Sequence, residues 1–354
     1  MAALGDENIT VILQEKLKII LEDKPIPKPG NNEVQIEMHS VGICGSDVHY
    51  WQKGSIGEFI LKSPMQLGHE SSGVISEIGA NVKHLKIGDR VALEPTVPCG
   101  SCSFCRIGRY NLCPDVECHS TPPCDGSLAR YIVYRADYCY KIPDNMSFEE
   151  GALCEPLSVG IYACRRGNVA LGHKVLVTGA GPIGLVSMLT AKAMGASEVC
   201  ITDISAERLE FAKKIGADHT LLIDTKDVDV LSKKVQTAFG AKPDVTIECS
   251  GAQSSVELGI YSTVNGGCIV LVGMGPDKVT IPLLYAACHE IDIKGTFRYS
   301  NTWPTAIRMI SSGSVNVKPL VTHRFPIEDA LVAFETARSG AGGAIKVIID
   351  CFKN

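Results

Sequence analysis

The N-terminal part of the chain alternates apolar and polar residues over short segments. Turns rich in glycine and proline separate these segments, which are residues 10–13, 17–22, 34–38, 73–78, 89–93 and 129–134. A period of two is typical of half-buried strands, and glycine and proline are typical of the turns between them. Many short strands with such turns predict a β-rich first domain.

The pattern changes near residue 150. Residues 148–166 are apolar and alanine-rich at helical spacing, with an interruption at Pro156. Apolar runs then alternate with helical segments: the predicted strands are residues 174–178, 199–203, 220–223, 245–249, 267–273 and 291–299, and the predicted helices are residues 185–194, 206–215, 228–239 and 253–263. Repeated βα units predict an α/β fold with a doubly wound parallel sheet and right-handed crossovers.

The C-terminal tail has a mixed pattern. It predicts helices at residues 303–311 and 327–338 and strands at residues 320–323 and 344–349. A lone strand needs a sheet to join, so we expect the tail to return to the first domain. A length of 354 residues suggests two domains. We therefore predict one domain from residues 1–157 plus 300–354 and a second from residues 158–299.

Composition and charge narrow the class of protein. The net charge of -5 gives no reason to expect nucleic acid or an anionic membrane as a partner. The most apolar run, residues 175–194, contains glycines, a proline and Lys192, and it predicts a strand, a turn and a helix rather than a membrane span. The first eight residues show no secretory signal. An odd number of cysteines, 15, then favours a reducing compartment, the cytoplasm.

A glycine-rich turn joins the first strand and helix of the second domain. Its glycines are Gly179, Gly181 and Gly184, and the next strand ends at Asp203. Gly179 permits the tight turn, Gly181 lets the backbone approach a pyrophosphate, and Gly184 allows close packing of helix and strand. The start of the helix faces the phosphates. The strand before, the helix after and the acid about 20 residues further on predict a dinucleotide site.

Asp203 also bears on the choice of coenzyme. Its carboxylate would bind the ribose hydroxyls and repel a 2′-phosphate, so NAD is favoured over NADP. Arg208 follows five residues later, and a nearby cation could tolerate that phosphate. Arg208 could instead be an arginine on the helix surface or a packing partner of the adenine.

A cysteine, a histidine and a carboxylate in the first domain form a candidate metal site. His69 and Glu70 are adjacent on a short polar segment, and Cys44 lies upstream after an apolar run. Three protein ligands and one free position are what a catalytic zinc needs, because substrate or water must bind there. In the alternative interpretation, His69 caps a strand and Glu70 is solvated.

Four closely spaced cysteines form a second candidate metal site. They occur with the spacing C-x2-C-x2-C-x7-C and are Cys99, Cys102, Cys105 and Cys113. Four thiolates in one loop can close a tetrahedral shell around zinc and leave no open position, so we expect a structural role. An iron–sulfur cluster or reduced, metal-free cysteines are the alternatives. We interpret Cys118, Cys124 and Cys139 as packing residues, and His119 as an ordinary loop histidine.

Together these motifs resemble one protein family over nearly the whole chain. The pattern Gly68-His69-Glu70-x2-Gly73-x5-Gly79-x2-Val82 is similar to the zinc alcohol dehydrogenase signature of the zinc-dependent medium-chain dehydrogenase/reductase superfamily. Residues 42–50, 155–160 and 297–299 resemble the polyol (sorbitol or L-iditol) dehydrogenase branch of that superfamily. The resemblance implies a GroES-like, β-rich catalytic domain, a Rossmann coenzyme domain and a homotetramer.

The resemblance also implies the roles of single residues. Cys44, His69 and Glu70 hold the catalytic zinc, with a water that Glu155 contacts or replaces. Cys154, next to Glu155, could compete as a ligand or could be a buried small side chain. The implied coenzyme-binding residues are Gly179, Gly181, Ile183, Gly184, Asp203, Arg208, Val272, Gly273, Met274, Thr296, Phe297 and Arg298. The four-cysteine set is missing from vertebrate members of the branch and kept by other members, so a second zinc is expected here.

On this resemblance, the reaction is reversible oxidation of a polyol, such as sorbitol, xylitol or L-iditol, to a ketose with hydride transfer to NAD⁺. Ser46, Glu70 and Glu155 are the implied catalytic residues, and Ser46 or Glu155 passes the proton toward solvent. The residues implied to hold the other hydroxyls are Tyr50, Glu155, Arg298 and Tyr299. Tyr50 could instead be a surface aromatic residue, and Arg298 could form an ion pair at an interface.

Three alternatives remain open at the level of the sequence. Another zinc alcohol dehydrogenase or an L-threonine dehydrogenase is possible, although residues 155 and 297–299 argue against both. A non-catalytic dinucleotide-binding protein could use the same fold. The pair Cys118 and His119 stands where relatives often have an aromatic residue and a cysteine, which leaves the preferred polyol open.

Overall fold

The computed structural model describes residues 7–352. The N-terminal stretch in which we see no secretory signal lies mostly outside these residues. The chain divides into two compact units. The first unit contains the described residues of Met1–Glu155, Trp303–Gly313 and Val317–Asn354, and the second contains Pro156–Thr302 and Ser314–Asn316.

The strands in chain order are β1 (Ile9–Glu15), β2 (Lys18–Asp23), β3 (Glu33–Gly42), β4 (Ser55–Ile56), β5 (Phe59–Ile60), β6 (Met65–Gln66), β7 (Glu70–Ile78), β8 (Arg90–Leu93), β9 (Thr96–Val97), β10 (Glu117–Cys118), β11 (Tyr131–Arg135), β12 (Cys139–Lys141), β13 (Lys174–Thr178), β14 (Glu198–Asp203), β15 (His219–Leu222), β16 (Val245–Glu248), β17 (Cys268–Leu271), β18 (Asp292–Gly295), β19 (Val321–Pro326) and β20 (Lys346–Asp350).

The helices are α1 (Gly45–Lys53), α2 (Ser103–Arg106), α3 (Phe148–Ala152), α4 (Cys154–Arg166), α5 (Pro182–Ala193), α6 (Ala206–Lys214), α7 (Val228–Phe239), α8 (Gln253–Ser262), α9 (Leu283–Cys288), α10 (Trp303–Ser311) and α11 (Ala330–Ser339). None of those formed by residues 7–352 is both long and apolar enough to cross a membrane.

The first unit is built around a seven-stranded sheet. Its strands lie in the order β12-β8-β7-β3-β20-β19, and β11 pairs with β3 beside this path. The centre of the sheet is long because β3 pairs with β7 along most of its length, and the inward side chains Val34, Ile36 and Met38 are fully buried. β20 pairs antiparallel with β3, which confirms that the tail returns to the first part of the chain.

The second unit is a six-stranded sheet in the order β15-β14-β13-β16-β17-β18. Every pairing in it is parallel, as predicted from the βα repeats. The central strands β13 and β16 are almost completely buried because helices cover both faces of such a sheet. The order of strands reverses between β13 and β16, and ligands bind at that point outside the carboxyl ends of the strands.

Several predicted elements differ from the structure, and some helices were not predicted. Pro156 does not interrupt a helix: the break is at Leu153, and Pro156 lies in the first turn of α4, where its missing N–H is tolerated. The strand predicted for residues 291–299 ends at Gly295. β7 begins at Glu70 rather than at Gly73. The helices α1 and α9 were not predicted.

Candidate active site

Three ligand-type side chains of the first unit meet where β3 ends and where β7 and α1 begin. The register of β3 and β7 places Gly42 opposite Glu70, and a Cβ atom on Gly42 would lie 2.2 Å from the Glu70 carboxylate. Cys44 is the N-cap residue of α1 and therefore lies beside the end of β3. One ligand atom each from Cys44, His69 and Glu70 lies within 4.8 Å of the other two.

A buried carboxylate orients the histidine of this group. Asp47 Oδ1 lies 3.3 Å from His69 Nδ1 and accepts a hydrogen bond of 2.6 Å from the Ser120 hydroxyl. Burial alone would raise the pKa of Asp47, but the contacts with His69, Ser120 and the Cys44 amide outweigh it and lower the pKa. An ionised Asp47 fixes the imidazole so that Nε2 is the nitrogen available to a metal.

Ser46 and Tyr50 are also placed by α1. The Ser46 hydroxyl is 3.5 Å from His69 Nε2 and therefore lies beside the group of ligands. Tyr50 is only 2% exposed and belongs to the apolar core of the first unit. The alternative interpretation of Tyr50 as a surface aromatic residue is therefore wrong.

A buried lysine contacts Glu70. The Lys346 ammonium group lies 2.7 Å from each oxygen of the Glu70 carboxylate and donates to the Ile43 carbonyl at 3.1 Å. Both partners are nearly inaccessible, with side-chain exposures of 3% and 0%. Burial alone would lower the pKa of Lys346, but Glu70 and Cys44 raise it, so the lysine stays charged. Glu70 thus has a cationic partner inside the protein.

Glu155 and Cys154 lie at the start of α4. Glu155 is buried and close enough to Lys346 to contribute to its raised pKa, but it is not part of the group formed by Cys44, His69 and Glu70. Cys154 is fully buried, and its thiol lies 3.6 Å from the Glu150 carbonyl. Burial raises the pKa of Cys154, which makes it a packing residue rather than a competing ligand.

His119 lies in the turn that follows β10, as expected for a loop histidine. Its ring lies 4.2 Å from the ring of Tyr134. Burial, together with the nearby His69, lowers the pKa of His119 to about 3, so this imidazole is neutral. His119 is outside both groups of potential ligands in residues 7–352.

The four cysteines of the second candidate site come together on one loop. One sulfur atom from each lies within 4.8 Å of the others: Cys99, Cys102, Cys105 and Cys113. The Cys102 amide points at the Cys99 sulfur and the Cys99 amide at the Cys113 sulfur, each at 3.4 Å. Amide groups directed at sulfur stabilise thiolates, and a shell of four thiolates fits a tetrahedral zinc.

In the second unit, the glycine-rich turn connects β13 to α5. Gly179 has a φ of 95°, which favours glycine, and a Cβ atom on Gly184 would lie 1.8 Å from the Gly179 carbonyl oxygen. Gly181 precedes the first helical residue and carries no side chain that could cap the free N–H groups of α5. Only the Arg208 guanidinium, at 4.0 Å, approaches the position of a Cβ atom there. This turn fits a bound pyrophosphate.

Asp203 closes this turn from the end of β14. Its Oδ2 accepts a hydrogen bond of 2.7 Å from the Ala180 amide, and its Oδ1 accepts one of 2.8 Å from the Ser205 amide. The carboxylate is therefore held rigidly next to the glycine-rich turn. Such a carboxylate suits the ribose hydroxyls of NAD.

The other predicted coenzyme residues lie after β17 and β18. The Val272 and Gly273 amides both donate to the Glu248 carbonyl, and Met274, the next residue, is 53% exposed. Thr296, Phe297 and Arg298 follow the end of β18 directly. Arg298 has a φ of 51° and places its guanidinium 4.7 Å from the centre of the Phe297 ring. Tyr299 is 1% exposed.

Three residues that surround the group of Cys44, His69 and Glu70 were not predicted from the sequence. They are Asp47, Ser120 and Lys346. Asp47 could have been found, because it stands three residues after Cys44, at the position of a capping box. Nothing in the sequence distinguishes Ser120 or Lys346 from other residues of their type.

Two family models match the chain. One describes the alcohol dehydrogenase GroES-like domain and matches residues 30–144, and the other describes a zinc-binding dehydrogenase and matches residues 182–312. The sorbitol dehydrogenase of Bos taurus is 57% identical over 100% of this chain and 99% of its own length. The sorbitol dehydrogenase of Homo sapiens is 58% identical over 99% of this chain and 98% of its own length. The chain belongs to the sorbitol dehydrogenase family of zinc-binding dehydrogenases.

A solved structure of another dehydrogenase has the same fold. The L-idonate 5-dehydrogenase of Escherichia coli superposes with a TM-score of 0.90, at 30% identity, over 97% of this chain and 98% of that one. The family confirms the resemblance noted in the sequence and the predicted fold class, a GroES-like domain together with a Rossmann-type parallel sheet.

Proposed function

We propose that this protein oxidises a polyol such as sorbitol, xylitol or L-iditol to the corresponding ketose, reversibly, with NAD⁺ as the hydride acceptor and zinc as the metal. The observation that carries the proposal is the cluster of Cys44, His69 and Glu70, which offers sulfur, nitrogen and oxygen ligands within 4.8 Å in a chain of this family. A ligand set with one carboxylate is harder than one with two thiolates and suits a hydroxylated substrate.

Cys44, His69 and Glu70 would hold the catalytic zinc. Glu155 would either contact a water bound to that zinc or replace it. A bound zinc lowers the pKa of a hydroxyl group placed against it, so that the hydroxyl ionises near neutral pH. Asp47 fixes the imidazole of His69 for this role. The Lys346 ammonium group contacts the Glu70 carboxylate and offsets part of its negative charge, so Glu70 would attract a bound metal less strongly.

Proton transfer and substrate binding fall to other residues. Ser46, next to His69 Nε2, or Glu155 takes the hydroxyl proton toward solvent. Tyr50, Arg298 and Tyr299 bind the remaining hydroxyls, because a site made of polar donors rejects simple alcohols that lack partners for them. Glu155 also contacts the substrate.

We assign coenzyme binding to residues 158–299, and catalysis to residues 1–157 plus 300–354. Asp203 binds the ribose hydroxyls of NAD, and the free N–H groups at the start of α5 bind the pyrophosphate. Ile183 and Gly184, in the first turn of α5, and Arg208 complete this end of the site. We also assign coenzyme binding to the residues that follow β17 and β18, which are Val272, Gly273, Met274, Thr296, Phe297 and Arg298.

The four-cysteine loop holds a second, structural zinc. Its ligands are Cys99, Cys102, Cys105 and Cys113. Four protein ligands leave no position for substrate, so this zinc stabilises the loop and takes no part in the reaction.

The test combines metal counting with a substrate panel. We expect about two zinc ions per chain by elemental analysis, and NAD-dependent oxidation of sorbitol and xylitol that exceeds the rate with ethanol or L-threonine. NADP should be a poor replacement, because Asp203 repels its phosphate. A preference for ethanol or L-threonine would contradict the polyol assignment. Zinc and NADH binding without turnover of any of these would identify a non-catalytic relative.

We also propose a homotetramer that works in the cytoplasm. The exposed apolar residues Leu283 and Leu284, 64% and 77% accessible, support association through α9. All 15 cysteines are free in the structure, which suits a reducing compartment. Light scattering should give about four times the chain mass of 37.9 kDa, and a monomer would contradict the tetramer.

A further inference from the structure

A buried carboxylate at the end of β16 has no role in the function proposed above. Glu248 is 1% exposed and is the last residue of the strand. Its Oε1 accepts hydrogen bonds from the Ser250 amide at 2.8 Å, the Ser250 hydroxyl at 2.6 Å and the Gly251 amide at 2.9 Å. The Gly251 amide also lies 3.2 Å from Oε2. The carboxylate therefore closes the loop that follows β16.

The main chain of the same residue holds a second loop. The Glu248 carbonyl accepts hydrogen bonds from the Val272 amide at 2.8 Å and the Gly273 amide at 2.9 Å. These amides belong to the segment after β17. Glu248 also contacts β13, where the Thr178 hydroxyl lies 3.4 Å from its Oε1. Glu248 thus ends β16 and contacts both the end of β13 and the segment that follows β17.

The loops that Glu248 holds fit tightly against each other. A Cβ atom on Gly273 would lie 2.1 Å from the Gly251 amide nitrogen, and one on Gly251 would lie 2.6 Å from the Met274 carbonyl oxygen. On the other side, a Cβ atom on Gly179 would lie 3.1 Å from the Ser250 nitrogen. Contacts this close let a shift of the Ser250–Gly251 turn move both neighbouring loops.

We propose that Glu248 is a positioning residue of the coenzyme site. β13 and β16 flank the point where the strand order of the sheet reverses, and a dinucleotide binds outside the carboxyl ends of the strands there. A carboxylate only accepts hydrogen bonds, so it can satisfy two amides and a hydroxyl at once and hold the turn in one conformation. The inference rests on the proposed use of NAD, because the loops it orders are those assigned to that coenzyme.

The test measures NADH affinity by fluorescence titration of the full-length, zinc-loaded protein. Glu248→Ala removes every side-chain bond to the turn, and we expect NADH to bind about tenfold more weakly. Glu248→Gln keeps one acceptor oxygen but turns an NH2 group toward the Gly251 amide, so its loss should be smaller. Ser250→Ala deletes the hydroxyl bond to Glu248, together with the bond of 3.1 Å that the hydroxyl accepts from the Ala252 amide, and should also weaken binding. In each variant we expect KM for NAD to rise while kcat and the zinc content stay unchanged.

Thr246→Val is the matched control for a general loss of stability. Thr246 lies in the same strand, is buried, and shares a hydrogen bond of 2.8 Å with Thr263 away from the loops. Its replacement should lower the melting temperature without changing NADH affinity. If Glu248→Ala does not fold, Glu248→Gln and Ser250→Ala carry the test.

The outcomes separate this inference from the function on which it rests. A wild-type protein that does not bind NADH contradicts the proposed function itself. A wild-type protein that binds NADH, with Glu248 and Ser250 variants that bind it equally well or no worse than Thr246→Val, overturns the positioning role alone.

Discussion

At the scale of single residues, the buried contact between Lys346 and Glu70 links the stability of the first unit to its metal. Breaking a buried ion pair by removing one partner costs about 3–5 kcal/mol, because an uncompensated charge remains. Lys346→Met should therefore lower the free energy of unfolding of the zinc-free protein by about 3 kcal/mol. The loss should be smaller with zinc bound, since the metal then compensates the Glu70 carboxylate. Denaturant unfolding with and without a chelator measures both values.

Arg338→Met provides the control for this substitution. Arg338 pairs with Glu335 at 2.7 Å, but both side chains are more than 40% exposed. A pair of this kind contributes at most about 1 kcal/mol. Equal losses for Lys346→Met in the zinc-free and zinc-loaded states would show that Glu70 does not exchange the lysine for the metal.

A second buried carboxyl gives the protein a predictable response to pH. Burial raises the pKa of Glu94 from 4.5 to about 7, although the Tyr110 and Tyr140 hydroxyls donate to it. Between pH 4.5 and about 7, the Glu94 carboxyl therefore keeps a proton in the folded protein that it has released in the unfolded chain. The contribution of Glu94 is complete below the unfolded pKa and is lost as the pH rises through about 7.

The measurement compares wild type with Glu94→Gln, which stays neutral. Between about pH 5 and about pH 8, wild type should lose about 3 kcal/mol of unfolding free energy relative to the variant. Denaturant unfolding of both proteins at these two pH values gives the difference. A difference that does not change with pH would contradict a raised pKa for Glu94.

At the scale of elements, the cysteine loop has little secondary structure of its own, so we expect it to depend on the proposed zinc. α2 has four residues, too few for a stable helix, and none of them is buried. Cys99→Ser should remove about one zinc ion per chain and expose the loop to trypsin at Arg106, while part of the activity remains because the Cys44 cluster shares no ligand with this loop. Elemental analysis and timed proteolysis test both effects.

Cys288→Ser makes the same chemical change at an exposed cysteine outside both ligand groups of residues 7–352. It should change neither zinc content nor proteolysis. If Cys99→Ser also keeps all of its zinc, the loop is not a zinc site and its cysteines are reduced thiols.

The two units differed in how well the sequence predicted their elements. In the second unit, the predicted and observed bounds of β13 and α7 coincide. Strands buried on both faces form apolar runs that are easy to separate from amphipathic helices. In the first unit α1 was missed, because its nine residues include Gly45, Ser46 and Asp47 and show little helical period. The capping contact of Asp47 and the burial of Tyr50 and Trp51 stabilise this helix instead.

At the scale of the whole molecule, the sequence predicted that the C-terminal tail joins the first domain. It did not predict that this pairing brings Lys346 into contact with Glu70. Lys346 and Glu70 are 276 residues apart in the chain, and they meet because β20 pairs with β3. A pattern of apolar residues can indicate that a strand needs a sheet, but the register of its pairing depends on packing across that sheet. The candidate ligands Cys44, His69 and Glu70 are close in sequence and carry a motif, so their grouping could be predicted.

The division of the chain into units leads to a prediction about the two cofactors. Both groups of potential zinc ligands lie in the first unit, and every residue assigned to NAD lies in the second. Each unit has its own core. A chelator that removes zinc should therefore abolish polyol oxidation and leave NADH affinity within about twofold of its starting value, because the coenzyme contacts need no metal. Fluorescence titration of the zinc-free protein with NADH measures this.

Asp203→Ala should weaken NADH binding and leave the zinc in place, the opposite of what a chelator does. It removes the carboxylate that we assign to the ribose and that holds the Ala180 amide in the glycine-rich turn, so NADH should bind at least tenfold more weakly. Its zinc content should equal that of wild type, because Asp203 belongs to neither ligand group. Opposite losses in the two experiments would show that each unit forms its own site. Loss of NADH binding on removal of zinc would show instead that the metal organises the coenzyme site, and the assignment of separate sites would then be wrong.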